Sequence, residues 1–236
     1  MRMSDRMSEA CPGTEATASS MRLLVTGATG VLGRALVPAA TAAGHRLRTP
    51  TRAELDLFDP AAVAAAARGA DAILHLATRI QPLDQLGNAD AWRENDRLRA
   101  DASRLLVDAA LTADVRVYIQ PTVTFVYPPD APASEDTAIA EVSPILESAL
   151  AAERETDRFA GSGRRGVVLR FGLLDGPGTG HDTPVPALGA TLHVADAARA
   201  LLAALVVPSG IYNVCRDNER VSNSRFKRVA RWYPSS

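Results

Sequence analysis

A doubly wound α/β fold, with a parallel sheet covered by helices on both faces, is predicted from three observations. Short apolar runs of strand length alternate with longer helical stretches from residue 22 to the end of the chain. The first run, Leu23-Leu24-Val25, leads through a glycine-rich turn into a helix. The chain has 236 residues, of which 47% are hydrophobic and 22% charged, enough apolar side chains to fill a core of that type.

The elements follow in order. After the first strand and turn, a helix is predicted over 31–43, with Gly44 as its stop. A second strand over 45–48 ends before Pro50. Asp59-Pro60 opens an alanine-rich helix through Ala67, with Asp59 as cap and Pro60 at the first helical position. Residues 72–76 form a third strand. One long helix is predicted over 92–110, with Leu98, Ala102, Leu105, Leu106 and Ala109 at helical spacing. Strands over 115–119 and 166–171 flank a helix over 145–159. The last part reads as a short strand at 192–194, a helix at 196–205, a strand at 210–214 and a helix at 226–233. Alanine enrichment serves helix formation.

Composition excludes several classes. Twenty-six basic residues against 27 acidic ones leave a formal charge of -1, so no strong field gathers nucleic acid or anionic lipid. Aromatic residues are only 5%, too few for a base-stacking platform. Cys11 and Cys215 make no disulfide framework, and with four histidines at no close Cys/His spacing no metal site is expected. No apolar run approaches the roughly 18 residues of a membrane-spanning helix. Residues 1–20 lack an apolar signal-peptide core and read as a disordered leader, with Met21 as a natural start; a cytoplasmic protein is expected. The domain division expected is a dinucleotide-binding domain over 21–178 and a shortened C-terminal substrate region over 179–236, which includes a late strand and helices of the core.

The chemistry-bearing motif is Thr26-Gly27-Ala28-Thr29-Gly30-Val31-Leu32-Gly33, a G-x-x-G-x-x-G between strand and helix. Gly27 makes the tight turn, Gly30 lets the backbone approach a pyrophosphate, and Gly33 lets helix and strand pack closely. Thr29, Val31 and Leu32 complete the loop, and the helix N-terminus offers free N–H groups to phosphate. The motif therefore predicts a bound dinucleotide. An NAD site places an acid about 20 residues beyond the first glycine. Here Arg46, Arg48 and Arg52 occupy that stretch and Glu54 is the nearest acid. That pattern favours the 2′-phosphate of NADP over NAD, with Arg48 or Arg52 as the contact, and leaves solvent-facing arginines as the alternative.

Together with further segments, this loop resembles the opening of the extended short-chain dehydrogenase/reductase superfamily, in particular its NAD-dependent epimerase/dehydratase group. The resemblance runs from Met21 to about Tyr233 and implies a Rossmann-like fold. Glu54-Leu55-Asp56-Leu57 is similar to the segment that contacts adenine, which implies that role for Asp56 and Leu57. Leu76-Ala77-Thr78 is similar to the strand end that lies under the cofactor, and Asn95 to a helix-borne asparagine of the site. Leu169–Pro177, Leu192-His193-Val194-Ala195-Asp196 and Gly210–Val214 resemble later segments of the same family.

The chain departs from the family at the point of proton transfer. Members use a Ser/Thr hydroxyl and a Tyr-x-x-x-Lys pair beside the hydride path. Counting back from Tyr127, the hydroxyl position falls on Val123, flanked by Thr122 and Thr124, which strand alternation sets on one side. In the following helix the Tyr position falls on Ile145 and the Lys position on Ala149, and no tyrosine occurs between Tyr127 and Tyr212. Thr122, Thr124 and Glu153 are the remaining candidates for acid/base work. Residues 178–190 form a short loop where the family carries a longer substrate region. Two functions stay open: an NAD(P)-dependent oxidoreductase or epimerase acting on a hydroxyl or carbonyl carbon of a small or sugar-like substrate, and a non-catalytic NAD(P)-binding sensor or partner subunit. The helices over 92–110 and 145–160 are where a homodimer would form by resemblance.

Overall fold

The computed structural model describes residues 20–85, 87–129, 131–139 and 142–235. Residues 1–19 of the expected leader, Cys11 included, lie outside them. Six strands form one parallel sheet: β1 (Arg22–Thr26), β2 (Arg46–Arg48), β3 (Ala72–His75), β4 (Val117–Val123), β5 (Arg165–Phe171) and, after two shorter strands, β8 (Gly210–Val214). Their order is β2-β1-β3-β4-β5-β8. The chain winds from β1 outward to β2, then crosses back to β3 and continues to the other edge. The β1/β3 boundary is thus the topological switch point, where crevices at the carboxyl ends of strands take ligands. This is a Rossmann-like doubly wound fold.

Strand alternation divides the core. Leu23, Val25, Leu74, Ile119 and Leu169 face one layer with α1 (Val31–Ala42), α6 (Val194–Ala203) and α7 (Ser224–Ala230). Leu24, Ile73 and Tyr118 face the other layer, which holds α2 (Pro60–Ala67), α4 (Ser103–Thr112) and α5 (Pro144–Gly161). Because both faces are covered, the central strands are apolar at consecutive positions, as in Leu23-Leu24-Val25 and Ala72-Ile73-Leu74, the pattern that predicts a parallel sheet. The C-terminal segments belong to this body: β8 pairs with β5 along Val167–Phe171.

Local chemistry sets the elements. Asp59 accepts a hydrogen bond from the Ala61 amide at 2.9 Å and Pro60 takes the first helical position, so α2 has the predicted bounds. Gly166 lies where α5 crosses β5: a Cβ there would stand 2.3 Å from the Thr156 carbonyl oxygen.

Two features depart from the sequence reading. The short strand expected at 192–194 is β7 (Thr191–His193), and it pairs in parallel with β6 (Leu173–Asp175), a three-residue strand after Gly172 that the sequence reading did not include. The helix predicted over 92–110 is α3 (Ala89–Arg97) joined to α4 through a π turn, Leu98–Ala102. The apolar spacing of the second half points Leu98 inward; the π turn shifts the phase between the two halves, so Arg99 is buried in line with Trp92 and Asn95 and Leu98 is half-buried.

Removing the α2 cap with Asp59→Ala is expected to cost about 1 kcal/mol. Urea denaturation checks this, and an unchanged midpoint would show that Pro60 alone holds the helix start.

Candidate functional site

The glycine turn lies at the carboxyl end of β1, against the end of β3. Gly27 has φ +73°, and a Cβ on it would stand 2.6 Å from the Ala77 amide nitrogen. No other residue type satisfies both conditions. At Gly33 a Cβ would meet the Ala28 backbone at 2.4 Å, so this glycine lets α1 lie on its own turn. Gly30 donates to the Gly27 carbonyl at 3.0 Å and, with Thr29, is exposed. A Cβ at Gly30 would touch nothing but that carbonyl oxygen, so its outer side is an open cradle. Val31 and Leu32, half-buried, begin α1 there. A cradle of backbone N–H groups at a helix N-terminus fits a pyrophosphate. Arg34, which the sequence reading did not single out, lies over it and donates to the Thr29 carbonyl at 2.7 Å. Its place four residues after Gly30, on the first turn of α1, was the available signal.

Beyond β2 the predicted residues separate. Arg48 donates to the carbonyls of Ala65 at 3.3 Å and Ala66 at 2.7 Å, capping the end of α2. The Arg48 guanidinium, expected as a 2′-phosphate contact, is thus engaged at the end of α2 in this structure. Arg52 pairs with Glu94 of α3 at 2.8 Å. Glu54 accepts from the Thr51 amide and hydroxyl, and Asp56 from the Phe58 amide at 2.9 Å. Leu57 is half-buried beside them. After β3, Leu76 is buried and Ala77 and Thr78 emerge toward the crevice. Asn95 is buried and accepts from the Arg79 amide at 3.1 Å, which ties α3 to this segment.

At the base of the crevice, buried His75 faces Thr26 Oγ1 through Nδ1 at 2.6 Å and the Leu98 carbonyl through Nε2 at 2.9 Å. A carbonyl only accepts, so Nε2 carries the proton and Nδ1 accepts from Thr26. Burial, assisted by the charge of Arg99, lowers the His75 pKa to about 4 and keeps the ring neutral.

The acid/base candidates belong to one buried network. Glu153 accepts from Thr122 Oγ1 at 2.7 Å and takes the Arg170 guanidinium on both oxygens, at 2.9 and 2.5 Å. Arg170 also donates to the Tyr127 hydroxyl at 2.8 Å, and that hydroxyl donates to Asn213 at 2.9 Å. Burial alone would lower the Arg170 pKa; the Glu153 carboxylate outweighs it and the guanidinium is held above its ordinary value. Glu153, the carboxylate expected for acid/base work, is buried and has both oxygens engaged in an ion pair. The expectation that Thr122 and Thr124 share one strand face is corrected, since β4 ends at Val123. Thr122 belongs to the network, while Thr124 opens a 3-10 turn and lines a cavity of about 340 Å³. Phe125, Leu146, Leu188 and Val221 give that cavity apolar walls, with Arg220 as its charged residue. Burial pushes the Cys215 thiol up to about 12, so it offers no thiolate.

Residues 23–191 match the sequence profile of the NAD dependent epimerase/dehydratase family. The chain belongs to this family. Membership makes it an NAD(P)-binding protein of the oxidoreductase and epimerase type. It is 33% identical over 220 residues to a 3-diazoavenalumate denitrifying reductase of Streptomyces sp, an alignment covering 78% of this chain and 72% of that one. Among solved structures it resembles RMD from Pseudomonas aeruginosa complexed with NADPH, with TM-score 0.73 and 19% identity over 92% of this chain and 93% of that one. UDP-glucuronic acid 4-epimerase from Bacillus cereus in complex with NAD is similar too, with TM-score 0.73 and 15% identity over 92% of each chain. Among the described residues, no helix is long and apolar enough to cross a membrane and no metal-binding cluster occurs.

Two outcomes are expected. Removing one partner of the buried pair, by Glu153→Leu, is expected to cost about 3–5 kcal/mol in urea denaturation, with Glu153→Leu/Arg170→Leu recovering part of it; a double variant as unstable as the sum of both single variants would overturn the pairing. His75 binds its proton less readily folded than unfolded, so the stability it contributes is complete above about pH 6.5 and is lost as pH falls toward 4. His75→Asn is expected to flatten that acid limb in denaturation curves taken across this range, and an unchanged slope would contradict the assignment.

Proposed function

We propose that this protein is an NAD(P)H-dependent reductase whose hydride acceptor requires no tyrosine–lysine proton relay. The observation that carries this reading is the contrast between the two halves of the site. The glycine cradle is complete, while the family's Tyr and Lys positions are Ile145, half-buried, and Ala149, fully buried. Reduction of a carbonyl leaves an oxyanion that needs a proton, and a positioned acid contributes about 10²–10⁴-fold to that step. A diazonium carbon has no such need. Hydride forms the new C–H bond, the C–N bond breaks, and dinitrogen leaves with the bonding pair, so the products are R–H, N₂ and oxidised cofactor. The denitrifying reductase among the relatives acts, by its name, on a diazo compound. A small organic molecule of this class suits the apolar cavity, with Thr124 on its wall and Arg220 available to a carboxylate.

Bound NAD(P)H supplies the hydride. In this reading Gly27, Thr29, Gly30, Val31, Leu32 and Gly33 hold the pyrophosphate, with Arg34 above it. Asp56 and Leu57 flank adenine, and Leu76, Ala77, Thr78 and Asn95 line the crevice beyond. NADPH is the preferred form. Glu54 and Asp56 already accept bonds from their own loop, which leaves the ribose diol of NAD without a free acid, and Arg52 is the cation at hand for a 2′-phosphate.

The test uses NADPH deuterated at the transferred position, with arene diazonium acids and ketones of similar size as substrates. The expected result is deuterium on the carbon that bore nitrogen, one N₂ per NADPH, and ketone reduction at least about 100-fold slower. Rapid ketone or sugar turnover would overturn the reading. Tight cofactor binding with no turnover on either class would favour the second reading, a non-catalytic NAD(P)-binding sensor or partner subunit, to which the missing pair also points.

A further inference from the structure

Arg99 stands apart from the other cations. It is only 5% exposed, and its Nε is a buried side-chain nitrogen without a hydrogen-bond partner among the described residues. The carboxylates that act on it electrostatically, Asp96 and Glu153, are engaged elsewhere. Asp96 accepts from Ser148 at 2.7 Å, and Glu153 holds Thr122 and Arg170. Burial lowers the Arg99 pKa to about 10, which still leaves it charged in neutral solution. A buried Nε–H with no acceptor is costly, so the arrangement makes physical sense when an oxygen atom from outside the chain completes it.

Position identifies that partner. Arg99 lies on the π turn, which packs against α5 and whose Leu98 carbonyl bonds His75 at the end of β3. The buried face of α5 carries the small side chains Ser148, Ala149 and Ala152, followed by Glu153. This region lies on the β3 side of the switch point, opposite the segment after β2. A dinucleotide lying across the switch point, with its adenosine half toward β2, brings its other half here. We propose that Arg99 donates hydrogen bonds to the ribose hydroxyls of the nicotinamide half of the cofactor. The proposal rests on the dinucleotide-binding reading above and adds a residue that the glycine motif does not contain. Arg99 continues the buried face of α3, seven residues after Trp92 and four after Asn95, and the π turn resets the phase for α4 beyond it.

Calorimetric titration of the full chain separates the possibilities. The ligands are NADPH and adenosine 2′,5′-bisphosphate, which lacks the second ribose. Arg99→Met is expected to weaken NADPH by about 10- to 100-fold while changing the bisphosphate by less than about 2-fold, and Arg99→Lys to recover part of the loss. Equal weakening of both ligands, or of neither, would overturn the proposal, and Arg99→Lys keeps the charge if the methionine variant fails to fold. Wild-type protein that binds neither ligand would remove the dinucleotide reading itself, a result distinct from a selective failure of Arg99.

Discussion

Burying a guanidinium is costly unless a carboxylate lies against it, and the carboxyl edge of this sheet is organised around one such pair. Arg170 and Glu153 connect β5 to α5; through Thr122 they reach β4, and through Tyr127 and Asn213 they reach β8. Four elements are thus held in one register by side chains whose hydrogen-bonding capacity is almost fully used. Such a network supports specificity of packing more than net stability, because desolvation offsets much of the Coulomb attraction. It also leaves Glu153 with no spare oxygen. The same pair that fixes the floor of the crevice holds its carboxylate candidate in an ion pair.

That pairing sharpens the division within the site. One side is backbone: a turn in which Gly27 and Gly33 fit where a Cβ would collide, opening on the N-terminus of α1, which no side chain caps. The other is a cavity with apolar walls and few polar groups. In the proposed reading, a family member that keeps the first and lacks the Tyr and Lys side chains of the second presents hydride without presenting a proton, and its leaving group departs as a stable neutral molecule.

Much of the fold was legible in the sequence because local rules and global packing agree. Asp59-Pro60 states a helix start in two residues, and the run Leu23-Leu24-Val25 states a strand buried on both faces. The glycine turn was legible for the same reason, since its spacing is a backbone requirement. Side-chain partners were not. Thr122 and Glu153 are 31 residues apart and Tyr127 and Asn213 are 86 apart, and no periodicity reports such contacts. Arg48 reads as a phosphate contact from its position after β2, yet three-dimensional proximity to the end of α2 decides its use. Arg99 was hidden by its setting, because a basic residue in a helical pattern reads as a solvated one until the phase of the helix is known.

That phase is the further lesson of the π turn. One residue inserted into an α-helix advances everything beyond it by about 100° around the axis. α3 and α4 therefore act as two cams on one shaft, keyed at different angles. Asn95 on the first is timed to the segment after β3, and Ser103 on the second to Gln120 in β4, a pairing at 3.1 Å. Deleting a single residue between 98 and 102 would leave a straighter and intrinsically better helix, yet would turn one of those two contacts out of mesh. The irregular turn functions as an angular offset built into the chain, and its value lies in the mismatch it preserves.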